Sequence, residues 1–294
     1  MMKACARMSL LLPLPLIDHV VVNVRERMDE AAGLYGRLGF ALTPQGRHTL
    51  GSINHLAILG ADYFELLGFP PGQENSAGLI AGPQGLGAIA FATEAAEDVH
   101  AALAAAGLPV LEPLGFSRPV ALPDGARDAA FRVVRMAPDA CPAGRLFFCQ
   151  HQTRGLVWRD TWRRHANGAL GILGVIIAAA RPQAVAGLFA RMFGAESVVQ
   201  HATGLRLLAG LASIDVLAPE QAAHRFGTAA PAPDGREAMM VALVLRTASL
   251  DRAAAALQAG EVAGVQASAQ RVLVPAAAAM GVALEFRTGG ADSA

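Results

Sequence analysis

Lysine is almost missing from this chain. Lys3 is the only one, and arginine supplies the rest of the positive charge. The formal net charge is zero and no basic run interrupts the sequence, so nothing supports a nucleic-acid partner. Cysteine is equally scarce. Cys5, Cys141 and Cys149 are odd in number and lack C-x-x-C spacing, which argues against both a disulfide framework and a zinc knuckle. A reducing cytoplasm fits them best. Long apolar runs are lacking as well: no segment reaches the roughly 18 uninterrupted apolar residues of a membrane span. The opening stretch MMKACARMSLLLPLPL carries a short apolar run of the kind found in secretion signals. Pro13 and Pro15 break it, and a strand follows at once with no clear cleavage site. A cytoplasmic protein is expected, with Met8 as plain a start as Met1.

Apolar residues, by contrast, make up 53% of the 294 residues against 16% charged, enough to bury a sizeable core. Their arrangement repeats. In IDHVVVNVRERMDEAAGLYGRLGF, Ile17 to Phe40, a short apolar strand leads into a helix with Met28, Ala31, Tyr35 and Leu38 on one face. Gly39 ends that helix. LGAIAFAT begins a second such unit, whose helix carries Val99 and Leu103 and stops at Gly107. GILGVIIAA begins a third, with Pro182 in the first turn of its helix and Gly194 at the end. MMVALVLRT begins a fourth, with Ser249 as cap and Gly260 at the end. Three units close on a strand with an acid between apolar neighbours: Glu65, Asp215 and Glu285. The second closes with LFFCQH and is lengthened by the Pro- and Gly-rich PLGFSRPVALPDGARDAAF, read as an inserted loop. PEQAAHRFGTAAPAPDGRE, between the third and fourth units, has the composition of an exposed loop.

A strand–helix–three-strand unit in paired copies, opening with DHVVVNV and closing with FELLG, resembles the vicinal oxygen chelate superfamily of glyoxalases, extradiol dioxygenases and bleomycin-resistance proteins. GRHTLGSINHLAIL and FFCQHQTRGLVWRDTWRRHANGA narrow the resemblance to the glyoxalase-like-domain family, most of whose members lack an assigned reaction. The likeness runs from Leu16 to about Thr288. It implies an α+β fold of four βαβββ modules in two pairs, with curved mixed sheets forming a cup and helices outside. The expected halves are residues 16–152, carrying the site, and residues 169–288, without metal, joined by the connector at Thr153 to Ala169.

The resemblance also implies a divalent metal (Fe, Mn, Ni, Zn or Mg) held by His19 and Glu65, with no organic cofactor. An imidazole and a carboxylate on adjacent strands suit such ions and leave positions open for substrate oxygens. The second unit departs from the pattern. Ala88 stands at the position matching His19, and the closing strand offers either His151 or Gln150, one of which faces the cup. In the third and fourth units the matching positions are Gly174 and Val241. Glu65 is also the candidate proton carrier, and Arg47, Asn54 and His55 are candidate substrate contacts. The ordinary alternatives are plain. His19 alone suits a hydrogen-bonded core histidine, and His48 a solvated hairpin. Trp158 and Trp162 suit packing between the halves, His165 and Asn167 turns of the connector, and Cys149 a small hydrophobe.

Two functions follow. The first is a metal-assisted enzyme of isomerase, lyase or dioxygenase type acting on a small oxygenated or carbonyl substrate. The second is a metal-free protein that sequesters a small molecule. Either has a small-molecule ligand, no nucleic acid and no membrane, and acts as a monomer or homodimer.

Overall fold

In the computed structural model, residues 12, 14–72, 82–122, 124–232 and 234–289 are described. Most of the opening apolar stretch lies outside them. The first unit comprises β1 (Ile17–Arg25), α1 (Met28–Arg37), β2 (Gly46–Arg47), β3 (Ile53–Ile58) and β4 (Tyr63–Gly68). The second comprises β5 (Gly85–Ala92), α2 (Ala96–Ala105), β6 (Leu114–Leu122), β7 (Gly125–Arg135) and β8 (Arg145–His151). The third comprises β9 (Ala169–Ala179), α3 (Pro182–Phe193), β10 (Val198–His201), β11 (Gly204–Ala209) and β12 (Ala212–Leu217). After α4 (Pro219–Phe226) come β13 (Ala238–Thr247), α5 (Leu250–Ala259), β14 (Gln266–Ala267), β15 (Val272–Val274) and β16 (Ala283–Arg287). The expected four modules are therefore present.

They pair into two eight-stranded sheets with matching orders, β2-β3-β4-β1-β5-β8-β7-β6 and β10-β11-β12-β9-β13-β16-β15-β14. In each, the opening strands of two modules lie antiparallel at the centre and each runs parallel to its own closing strand. The stretch read as an inserted loop in the second unit is instead the long hairpin β6–β7, which widens the first sheet. That sheet curls until its edges meet: the Thr49 N–H donates to Ser117 O at 3.0 Å, joining the turn after β2 to β6.

Strand alternation divides the apolar residues between two faces. Val20, Val22 and Val24 of β1 turn to the convex side, where they share one continuous core with Val175 and Ile177 of β9 and Leu243 and Leu245 of β13. Helices fill the same layer. Phe193 of α3 packs its ring 4.9 Å from Phe91 of β5, so the third module leans on the second. Two glycines make close approaches possible. Gly39 takes φ 87° after α1, as the helix end requires. Gly260 does not take a left-handed conformation; a Cβ there would run into the carbonyl of Arg37, so this glycine serves the contact between α5 and α1.

The connector folds as two short 3-10 turns and is tied to the first half. His165 accepts from the Ala41 N–H at 3.0 Å and its Nε2 donates to Ile58 O at 2.8 Å. Asn167 donates to Leu38 O at 2.8 Å. Trp158 packs within the first half, its ring 4.7 Å from that of His151. No helix among the described residues is long and apolar enough to cross a membrane.

Candidate functional site

The concave face of the first sheet is not filled. It encloses about 880 Å³ of space, its open mouth included, walled mainly by apolar side chains such as Phe116, Phe131 and Phe147. Four polar groups form its inner end: His19, His48, Asn54 and Glu65.

His19 reaches the cavity through a β-bulge. Ile17 pairs with Phe91 and His19 with Ala90, so Asp18 is skipped in the ladder between β1 and β5. Strict alternation would send Asp18 into the convex core, where a lone carboxylate is costly. The bulge brings it to the same side as His19. There its Oδ1 accepts from His19 Nδ1 at 2.6 Å and from His151 Nε2 at 3.0 Å. Burial alone would raise the Asp18 pKa; the two imidazole hydrogen bonds overcome it and hold this carboxyl well below the usual range. Asp18 thus acts as an acceptor, which commits Nδ1 of His19 as donor and turns Nε2 toward Glu65, 3.8 Å from Oε2. The ring is clamped by Tyr63, stacked at 4.4 Å, and by the edge of Phe147 at 5.4 Å.

Glu65 lies on β4, opposite Val21 of β1. Its Oε1 accepts from Asn54 Nδ2 at 2.6 Å and lies 3.9 Å from His48 Nε2. Asn54 Nδ2 also faces His48 Nε2 at 3.3 Å, and His48 Nδ1 is 2.8 Å from Ser52 Oγ. An amide N–H donates, so Nε2 of His48 carries the lone pair and Nδ1 the proton. Burial pushes the His48 pKa down to about 4 against the pull of Glu65, so the ring stays neutral. Gly46 allows this packing. A Cβ there would collide with Asn54 Oδ1 and sit 2.9 Å from the Arg118 guanidinium.

Of the residues singled out in the sequence, His19, Glu65 and Asn54 meet at the cavity. His151 faces the same side but bonds Asp18, on the far side of His19 from Glu65. Gln150 points the other way: it accepts from the Ala96 N–H at 3.1 Å and donates to Glu94 O at 2.7 Å, holding the start of α2. Register explains both placements. His19 pairs with Tyr63 and Ala88 with Arg145, so the residue of β8 equivalent to Glu65 is Phe147, not Gln150 or His151. The second module therefore brings two apolar side chains, Ala88 and Phe147, to the positions where the first brings His19 and Glu65. Arg47 is exposed on β2 and away from the cavity wall. His55 is turned to the opposite face of β3, its Nδ1 2.7 Å from Thr43 O. His48, read in sequence as a solvated hairpin residue, is instead buried beside Glu65. Asp18 and Arg118 also went unread. The signal for Asp18 was its place inside an apolar strand, where a carboxylate, once buried, needs a partner.

One cluster of candidate metal donors emerges from distances alone. Asp18, His19, Cys149 and His151 have ligand atoms within 4.8 Å of one another, all buried. Burial raises the Cys149 pKa well above its usual value, so this sulfur is a thiol. His151 Nδ1 is buried there without a hydrogen-bond partner among the described residues.

Residues 17–193 match the profile of the family described as glyoxalase-like domain, more than half of the chain. The chain belongs to that family. The match ends with α3, the helix packed on the first half. No curated protein matches the sequence of this glyoxalase-like chain. Among solved structures, a hypothetical protein from Staphylococcus aureus superposes with a TM-score of 0.64 at 13% identity, over 94% of this chain and 100% of that one. A Mn(II)-bound glyoxalase from Novosphingobium aromaticivorans gives 0.55 at 13% identity, over 95% and 85%. A variant of 4-hydroxymandelate synthase from Streptomyces coelicolor gives 0.54 at 11% identity, over 96% and 95%. At these identities the likeness establishes the fold alone and leaves the chemistry to the site.

Proposed function

We propose that this glyoxalase-like protein is a divalent-metal-assisted enzyme acting on a small carbonyl substrate in the N-terminal cup, by proton transfer of the isomerase or lyase type. The observation that carries this reading is the pairing of His19 Nε2 with the Glu65 carboxylate at 3.8 Å, at the inner end of an apolar cavity. The donor chemistry fits a cation. Asp18 accepts a hydrogen bond from Nδ1 of His19, and Ser52 one from Nδ1 of His48. The Nε2 atoms of both rings and the Glu65 carboxylate then converge, with the Asn54 amide donating to Glu65. Imidazole nitrogens and a carboxylate are a donor set that divalent transition-metal ions accept. His19, Glu65 and His48 would hold the ion; a glyoxalase that resembles this chain in fold is described as Mn(II)-bound. The buried Asp18 cluster fits less well, because its carboxylate is already shared by two imidazoles.

When bound, such an ion supplies Lewis-acid polarisation of substrate oxygens. The chain's own residues do the rest. Asp18 fixes the tautomer and orientation of His19. Asn54 holds Oε1 of Glu65 and leaves Oε2 toward the cavity, where it accepts a proton from the substrate and returns it. Residues 16–152 form the active half in this reading and residues 169–288 its packing partner. The cytoplasm is its setting, in keeping with free buried thiols at Cys141 and Cys149.

The test is the metal content of purified protein after dialysis and add-back of Mn²⁺, Ni²⁺, Zn²⁺, Fe²⁺ or Mg²⁺. A stoichiometric ion in the wild type, lost in His19→Ala, supports the proposal. The placement of Ala88 and Phe147 favours the alternative, a metal-free binding protein. Wild-type protein that retains no ion, and whose ligand affinity is indifferent to His19→Ala, would establish that alternative.

A further inference from the structure

Arg118 is the feature of the cavity that proton transfer does not use. It lies on β6 with its side chain turned inward, between Phe116 and Val120, and is 3% exposed. Two of its nitrogens, Nε and Nη2, are buried without a hydrogen-bond partner among the described residues. A guanidinium left so is expensive, since both desolvation and unmade hydrogen bonds count against it. Burial accordingly lowers its pKa, opposed by Tyr63 and Glu65, although a guanidinium stays charged.

The identity of the orphaned atoms is specific. Nε–H and Nη2–H leave the guanidinium on the same side and in parallel, the fork that a carboxylate meets with both oxygens. The wall adds two further guanidiniums, Arg135 and Arg145, while Glu65 is its one carboxylate among the described residues. Away from His19, His48, Ser52 and Asn54 the wall is mainly apolar, with Leu114, Phe116, Phe131, Val133 and Phe147. We infer that the ligand of this cup is a carboxylate with an apolar body, its acid group held bidentately by Arg118 and its body against the phenylalanine-lined wall. The inference rests on the reading that this cup is the ligand site, but not on the metal. Arg118 is a binding residue in it, and Gly46 is what leaves room for its head beside Asn54.

The experiment titrates wild-type protein by calorimetry with two matched pairs of probes, 4-phenylbutyrate against 4-phenylbutyramide and octanoate against octanamide. The pairs differ in charge and scarcely in shape. At least one acid should bind saturably and about tenfold or more tighter than its amide, the scale of one charge-assisted contact. Arg118→Met, which keeps the stem and removes the fork, should bring that ratio to within about twofold of unity. Arg118→Lys should keep a preference for the acid with weaker binding, because a point charge replaces a fork. Thermal melts accompany each titration. Without ligand, Arg118→Met should melt no lower than wild type, because an unpaired buried charge is removed; a structural arginine would give the opposite. Equal binding of acid and amide by wild type, no saturable binding of either acid, or an undiminished ratio in folded Arg118→Met would each overturn the inference. Metal content is measured on the same samples. Acid selectivity in protein without metal would leave the Arg118 site standing and remove the metal-assisted chemistry.

Discussion

The two halves share strand order, yet one cup is open and the other is plugged. In the first, Glu65 faces a cavity and two imidazoles. In the second, α4 lies across the concave face, with Ala222, Phe226 and Ala229 packed on Leu173, Val241 and Leu273. Asp215 stands on β12 opposite Ile176 as Glu65 stands on β4 opposite Val21. Its carboxylate is met by Arg206 at 2.6 Å. Arg225 of α4 reaches Glu285 at 2.9 Å and lies 3.7 Å from Asp215. The cation of the second cup is thus a side chain of the protein itself. A buried acid on this scaffold needs a positive partner: arginine supplies it to Asp215 and Glu285, and in the reading proposed above an ion would supply it to Glu65.

The sharpest way to break this comparison is to neutralise one acid in each cup. Glu65→Gln should lower metal retention and ligand affinity by about tenfold or more, as loss of a charged ligand does, whereas Glu285→Gln should leave both unchanged. Elemental analysis and ligand titration on the two variants decide it. Equal losses would mean that the halves build one shared site.

A second test concerns the plug. Phe226 is buried within the second cup, whereas Phe116 borders the cavity of the first. Phe226→Ala should cost about 3–5 kcal/mol of unfolding free energy, the usual range for a filled core. Phe116→Ala should cost about 1 kcal/mol, because its removal enlarges space that already exists. Urea denaturation of the two variants gives the difference. Similar costs would show the first cup to be as tightly packed as the second.

The smallest expected effect sharpens the joint between the halves. Asp62, ahead of β4, accepts from the Ile172 N–H of β9 at 3.0 Å. Burial raises its pKa to about 7; the Ile172 hydrogen bond and Arg246 oppose the rise, and the charge of Asp18 adds slightly to it. The unfolded chain would ionise it near 3.8. Because the folded value is the higher, the contribution of Asp62 is fully present below that pH and is lost as pH rises through 7. Asp62→Asn should therefore gain on wild type between pH 4 and pH 8, by about 1–2 kcal/mol after allowance for partial exposure. Parallel stability curves for the two proteins would contradict this.

Much of the architecture was legible because it is written in period and punctuation. Alternating apolar strands, one-faced helices and a glycine after each helix announce four copies of one unit, and His19 and Glu65 occupy matching places in it. Three features were not legible, each for a physical reason. α4 hides in a stretch with loop composition, although Pro219 at its first turn and the i, i+4 pair Ala222 and Phe226 were available as signals. His48 and Arg118 belong to segments that read as solvated; they are buried only because the first sheet curls and brings β6 against the turn after β2. Gln150 and His151 differ by one residue, and a choice of that size depends on register.

The amino-acid pattern by itself determined the module, its fourfold repetition and the poverty of ligands in the second, third and fourth copies. These are properties of local spacing, which the 3.6- and 2-residue periods carry without reference to distant parts of the chain. The tertiary structure alone decided that Asp18 turns inward, since a bulge breaks the alternation that a sequence obeys. It alone decided that Phe147 rather than Gln150 or His151 holds the place on β8 equivalent to that of Glu65 on β4, since pairing register is set between strands. And it decided that one cup is open while the other is filled, because a helix folds back over one sheet and turns an arginine toward its acids.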